Sequence, residues 1–324
     1  MEEKKRLIVI DGNAVVHRAF HALPPLTTKK GEMVNAVYGF LLVLFKAIRE
    51  LKPNFIAATF DAPGPTFRHQ QYKLYKANRK KAPDELYQQI PKIKEILENF
   101  DIQVFEKEGY EADDIIGTIA KLADKKENLT DVETIILTGD SDTLQLVDKN
   151  TKVYALRKGV KDTVLYDEEK VKEKYDGLLP EKISDFKALR GDPSDNIPGI
   201  LGIGEKTAIY LLKEFGSLEN LYLEVEKNTK KYQKLKPALK EKILKYKDKA
   251  LISKTLAELK YDVPLEFDLE KCRWGKYDKE KVIKIFNDYG FQSLINRLPE
   301  VKNGRGETTN PTKNKGNNKN LSFW

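Results

Sequence analysis

A chain of 324 residues can bury a full core as one large domain or two smaller ones, and no apolar run in it approaches the ~20 residues of a membrane span; a soluble, cytoplasmic protein with no membrane partner is predicted. One cysteine, Cys272, and only three histidines exclude an internal disulfide and a cysteine-built zinc centre, so any metal has to be held by oxygen, which favours magnesium, manganese or calcium. The net charge is +8, but five bases against one acid in residues 301–324 supply half of it, so the distribution of charge says more about partners than the total does.

Residues 6–10 are a short β-rich apolar run that ends abruptly at Asp11-Gly12, the pattern of a buried strand feeding a turn. Helical patterns follow over 14–22 and 36–51, and Pro53 introduces a second strand over 54–60 that ends at Asp61. Residues 65–81 then carry Arg68, Lys73, Lys76, Arg79, Lys80 and Lys81 with no acid before Asp84, and Phe67, Tyr72 and Tyr75 are interleaved with them. Aromatic faces stack bases while cations take phosphates, which suits single-stranded nucleic acid; the other reading, a solvated helix face, usually mixes both signs of charge.

An amphipathic helix is predicted over 84–100 and a short strand over 102–105. Glu111, Asp113 and Asp114 then stand at the mouth of an apolar-periodic helix, 115–122. Acids in a first turn complement the helix dipole, but three within four residues exceed what capping needs, and like charges this close raise one another's pKa unless a cation sits between them. Helix caps and divalent-metal ligands both remain open for them. A further strand over 132–138 ends at Gly139-Asp140-Ser141-Asp142. Four strands separated by helices predict a parallel, doubly wound α/β sheet, in which ligands gather at the carboxyl ends of the strands, where Asp11, Asp61 and Asp140 stand.

Residues 152–156 and 162–166 form a small hairpin in this reading, and a helical pattern covers 180–190. The turn-rich loop 191–199 carries Asp192 and Asp195, and Gly202 and Gly204 flank one residue at the start of a helix running to Phe215. Such glycines let backbone amides approach a phosphate, a reading preferred here over a plain tight turn. The lysine-rich pattern 227–249 fits a solvated face as well as phosphate contact. Residues 278–289 predict a last amphipathic helix, and residues 301–324 a disordered tail or linker.

Five segments, IDGNAVVHRAFHALPPL, FDAPGPTFRHQQYKLYKANR, GYEADDIIGTIA, ILTGDSDTLQLV and GDPSDNIPGILGIGEKTA, come in an order that resembles the 5′ nuclease domains of the flap endonuclease superfamily, the kind that forms the amino-terminal part of bacterial DNA polymerase I. The resemblance covers residues 7–298. It implies an α/β fold with a mixed, mainly parallel sheet and flanking helices (PIN-like), a helical arch near 65–83 and a helix-hairpin-helix subdomain. The implied division is a nuclease domain at 1–178, a DNA-binding subdomain at 179–300 and the tail beyond.

By that resemblance Asp11, Asp61, Glu111 and Asp113 line a first Mg2+ site and Asp140, Asp142 and Asp195 a second, with Asp113 reaching towards both, Asp114 and Asp192 in support, and Mn2+ able to substitute. Lys76 is placed at the scissile phosphate with Arg68 and Arg79 nearby, and Tyr75 is a stacking residue; Lys76, Arg79 and Asp113 are the catalytic set. Gly199, Ile200 and Ile203 offer backbone carbonyls to K+, while Gly202, Gly204, Lys206 and Thr207 grip duplex DNA. The implied activity is 5′-3′ exonuclease and 5′-flap endonuclease, acting as a monomer in replication and repair on DNA 5′ ends, flaps or RNA–DNA primer junctions, either free-standing or fused to a polymerase. Two alternatives are a nuclease for RNA–DNA hybrids and a structure-specific binder without catalysis; the second is disfavoured, since a binder gains nothing by facing phosphates with carboxylates. Ser141, where many relatives place a lysine, and Pro193 depart from the family pattern without removing a carboxylate.

Overall fold

The first apolar run is buried on both faces, as expected of a parallel strand covered by helices on each side. In the computed structural model, which describes residues 4–124 and 132–300, this strand, β1 (Lys5–Asp11), is central. β2 (Phe55–Thr59), β3 (Gln103–Phe105), β4 (Val132–Thr138), β5 (Thr151–Leu156) and β6 (Thr163–Tyr166) complete a six-stranded sheet ordered β3-β2-β1-β4-β5-β6. All pairings are parallel except β5 with β6. The hairpin expected at 152–166 is thus two added strands of the main sheet, because β5 continues the parallel ladder from β4, Thr151 opposite Thr134.

Alternate side chains of β1 enter different cores, as the strand's period of two requires. Ile8 and Ile10 pack with the helices Asn35–Leu51 and Ile90–Asn99, while Leu7 and Val9 pack with the helix Ala112–Asp124. The chain leaves β1 towards β2 and β3 on one side and returns to β4 on the other. The strand order therefore reverses between β1 and β4, where open α/β sheets bind ligands. Gly12, just past β1, lies so close to the Phe60 ring that a Cβ would come within 2.4 Å of it.

A third core joins the helices Ile183–Arg190, Glu205–Phe215 and Leu218–Glu226 with residues up to Ala250. The chain does not stay there. Leu259, Val263, Leu269 and Cys272 return to one core of the sheet, and Val282, Phe286, Phe291 and Leu294 to the other; Trp274 donates its backbone N–H to Asn54, 2.8 Å away. Of the DNA-binding subdomain expected at 179–300, residues 259–294 thus pack on the sheet, because the 282–286 face of the last long helix is buried there. Within the expected arch, 65–83, only Phe67–Gln71 is helical and the remainder runs in turns and irregular backbone. Lys76 there has φ +56°, a left-handed conformation that ends any helix. The expected tail, 301–324, lies outside the described residues. Among the described residues no helix is long and apolar enough to cross a membrane.

Candidate active site

The carboxyl ends of β1 and β4 carry the first acids. Asp11 caps the helix Gly12–Ala22, accepting from the Ala14 N–H at 3.0 Å and from Thr138 Oγ1, at the end of β4, at 2.6 Å. Burial pushes its pKa up to about 7, with Asp140 and Asp61 adding repulsion. Asp140 Oδ1 accepts from the Asp142 N–H, so the two acids of that loop share one turn. Burial likewise pushes Asp142 up to about 7, against the pull of Lys187. Asp113, one residue into the helix Ala112–Asp124, is raised well above the carboxylate range by burial and then by Asp11, Asp140 and Asp142. Asp61 reaches the same place from the end of β2, accepting from the Ala112 N–H at 2.8 Å.

The opposite wall is built where the turn at 72–79 meets the loop 191–199. The Lys76 N–H donates to the Asp195 carbonyl at 2.9 Å, Asn78 to the Pro193 carbonyl at 2.6 Å, and Asn196 back to the Leu74 carbonyl at 2.6 Å. These bonds hold the left-handed Lys76, a conformation that costs on the order of 1 kcal/mol. Lys76 Nζ donates to Glu111 at 3.0 Å, Arg79 pairs with Asp195, and Tyr75 Oη donates to Glu111 at 3.1 Å and Asp195 at 3.2 Å. Asp11, Asp61, Glu111, Asp113, Asp140 and Asp195 line a cleft of about 650 Å³ with Lys76 and Arg79.

The donor set is carboxylate oxygen, and buried acids repel one another across it, which fits hard divalent cations. Among the described residues no three side chains close as a ready-made ion cage. The chain's own cations lie among the acids instead: Lys76 on Glu111, Arg79 on Asp195, and Lys187 between Asp142 and Asp192.

A model of the 5′-3′ exonuclease N-terminal, resolvase-like domain matches residues 6–176, and one of the 5′-3′ exonuclease C-terminal SAM fold matches residues 178–280. The chain belongs to the 5′-3′ exonuclease family. Relatives include DNA polymerase I of Bacillus subtilis, 46% identical over 300 residues, which cover 93% of this chain and 33% of that protein. DNA polymerase I of Caldicellulosiruptor bescii is 45% identical over 90% of this chain and 33% of its own length. The chain thus spans about a third of the length of these relatives. In fold it is similar to a phage T5 5′-exonuclease solved with bound zinc (TM-score 0.65, 16% identity, 90% of this chain and 96% of that one). Flap endonuclease-1 from Methanococcus jannaschii is also similar (TM-score 0.54, 18% identity, 91% and 90%).

Two of the DNA contacts that the resemblance implies are buried, and its two supporting acids spend their oxygens on partners inside the protein. Arg68, expected at DNA, is 1% exposed and spends its guanidinium inside the protein, on Asp114 at 2.7 and 2.8 Å and on the carbonyls of Leu256 and Glu258. Asp114, expected to support a metal, is fully buried; its oxygens also accept from the N–H groups of Glu111 and Lys260. It faces away from the cleft because adjacent helix positions are turned by about 100°. Tyr75, expected to stack a base, is buried against Ile197, Leu256 and Ala257 and offers no open face. Asp142 and Asp192 both stand outside the cleft lining, joined through Lys187, and Asp192 accepts from Lys187 at 2.6 Å and from Ser194; burial opposes but does not prevent a fall in the Asp192 pKa to about 2, caused chiefly by Lys187.

In the hairpin, Gly204 precedes the helix Glu205–Phe215 with Lys206 exposed and Thr207 half-buried beside it. Gly199 donates its N–H to Ser253 Oγ at 2.9 Å, the Ile200 carbonyl accepts from the Ile203 N–H, and the Gly202 carbonyl accepts from Lys242 Nζ at 3.0 Å.

The cleft also contains residues that sequence reasoning passed over, namely Asn13, His17, Arg18 and His21. Their signal was partial, since the i, i+4 spacing puts His17 and His21 on one face of the helix that Asp11 caps, without saying which way that face turns. Lys187 was missed too. It is 7% exposed on the helix Ile183–Arg190, and nothing in its local sequence announces two partners.

Proposed function

We propose that the cleft hydrolyses DNA phosphodiester bonds near a 5′ end or at a 5′-flap junction, with two magnesium ions as cofactor. The observation that carries this reading is the group of mutually repelling acids at the β1/β4 switch point, Asp11 buried and Asp113 and Asp142 half-buried, faced by Lys76 and Arg79, in a chain of the 5′-3′ exonuclease family. Asp11, Asp61, Glu111 and Asp113 would hold one ion and Asp140, Asp142 and Asp195 the other, with Asp113 able to serve both. When bound, the ions lower the pKa of the attacking water and neutralise the leaving oxygen. Lys76 and Arg79 exchange Glu111 and Asp195 for the oxygens of the scissile phosphate and orient it. The buried ties of Arg68 and Tyr75 keep the turn that carries Lys76 against the acids.

The hairpin at 199–207 grips the duplex backbone, with potassium on the carbonyls of Gly199, Ile200 and Ile203; replacing potassium by sodium should then weaken duplex binding. Residues 1–178, with the returning segment, form the nuclease body, acting as a monomer in the cytoplasm during replication and repair. The relatives named DNA polymerase I support a polymerase in the same polypeptide. The decisive experiment maps products from one 5′-labelled flap DNA with and without magnesium, beside a matched RNA–DNA hybrid. Release of short 5′ products only with magnesium is expected. Cleavage of the hybrid alone would replace this substrate, and no cleavage of either would leave a binding module.

A further inference from the structure

The acidic cleft shares the wall Gly139-Asp140-Ser141 with a second groove of about 630 Å³. The charge reverses across that wall. Arg157, at the β5–β6 turn, and Lys170 and Lys174, on the helix Glu168–Lys174, stand on the second groove, and Glu173 is its one acid besides Asp140. Its floor is apolar, from Leu144, Leu156 and Val164.

The lysines are held in place. Lys170 Nζ donates to the Leu165 carbonyl at 2.9 Å, which leaves its other N–H bonds for a ligand, and Lys174 Nζ lies over the rings of Tyr166 and Tyr175 at 5.4 and 5.6 Å. Arg157 and Lys174 are exposed. A rim of cations above an apolar floor takes phosphates at its edge and sugar and base faces beneath them. Its common wall with the cleft places such a strand next to the reacting bond.

We infer that this groove is a second phosphodiester subsite, which holds the nucleotides adjoining the scissile phosphate on the side away from Lys76 and Arg79. The inference rests on the nuclease reading and adds a track beyond the cleft. None of its three cations belongs to the acid site, so the subsite acts on binding and leaves the chemical step alone.

The test measures flap-DNA binding in calcium as a function of salt, and cleavage in magnesium, for the full chain and for the double variant Arg157→Ala, Lys174→Ala. Losing two phosphate contacts should lower the slope of log affinity against log salt by about 1.5. KM should rise by about tenfold with kcat unchanged. The charge-conserving pair Arg157→Lys, Lys174→Arg should keep the wild-type slope, which separates a charge effect from a folding defect. An unchanged slope and KM in a double variant that melts like a wild type able to cut the flap would overturn the groove alone. A wild type that does not cut the flap overturns the nuclease reading, and this one with it.

Discussion

The two walls of the cleft carry similar acids in opposite electrostatic states. On the sheet side, the buried Asp11 and the half-buried Asp113 lie near one another, with the half-buried Asp142 just behind the lining, and the pKa values of all three rise. On the loop side, Glu111 and Asp195 accept from Lys76 and Arg79, and behind that wall, outside the cleft lining, Asp192 is held down by Lys187. The contrast separates two tasks. The loop wall is neutralised by the chain itself and fixes geometry, whereas the sheet wall, where Lys187 offsets Asp142 alone, keeps repulsion that an added cation would relieve.

The largest expected effect comes from the centre of the sheet wall. Asp113→Asn should slow magnesium-dependent cleavage by at least about a thousandfold. It should also raise the metal-free melting temperature, because it removes a repelling charge, and leave flap binding in calcium largely intact. Normal cleavage by this variant would sink the metal assignment; a lower melting temperature would break the contrast between the walls.

Arg68 tests the support behind the loop wall. Arg68→Ala strands Asp114 as a buried charge and should cost about 3–5 kcal/mol, read from denaturant midpoints. A surface DNA contact would instead give unchanged stability with weaker binding. Lys76→Ala should lower kcat by about a hundredfold while changing duplex affinity far less. Equal losses in both would reduce Lys76 to general electrostatics.

How much of this was legible in the sequence follows from the range of the forces. Asp11 and Asp140 could be placed because a strand's apolar run ends at each, a local pattern. Local pattern left Asp113 and Asp114 alike and only the resemblance separated ligand from support, since one helix step sends one to the cleft and the other to Arg68, 46 positions away in the chain. Composition made Arg68 and Tyr75 look like nucleic-acid contacts; burial by Leu256 and Ala257, set by tertiary packing, decided otherwise. The return of 259–294 to the sheet was hidden for the same reason. An amphipathic helix shows that it has an apolar face but not which core receives it.

The walls should also differ in pH dependence. Asp11 and Asp142 have folded pKa values near 7, above the ordinary carboxylate value, so the folded state binds protons more tightly than the unfolded chain. Their contribution favours folding below about pH 4 and is lost as pH rises through 7, at up to about 1.4 kcal/mol per unit for one group. Asp192 runs the other way: its pKa near 2 stabilises above pH 4, and that contribution is lost as pH falls through 2. The metal-free melting temperature should therefore fall from pH 5 to pH 8, and magnesium should flatten that fall. A flat metal-free profile would mean that neither burial nor repulsion holds these acids above the ordinary carboxylate value.

The smallest effect sits where the walls meet. Lys187 neutralises Asp192 on one side and Asp142 on the other, so its charge serves the loop wall while relieving part of the repulsion in the sheet wall. Lys187→Gln should lower metal-free stability, and because Asp142 then loses its internal counter-charge, calcium should bind a few-fold more tightly, by about threefold in a calorimetric titration. Lys187→Arg should keep the wild-type affinity. A residue that only packs would destabilise the metal-free and calcium-loaded protein equally, whereas a counter-charge predicts that calcium restores most of the lost melting temperature. Equal destabilisation in the two states would remove Lys187 from the electrostatics of the cleft and leave Asp142 with the sheet-side acids alone.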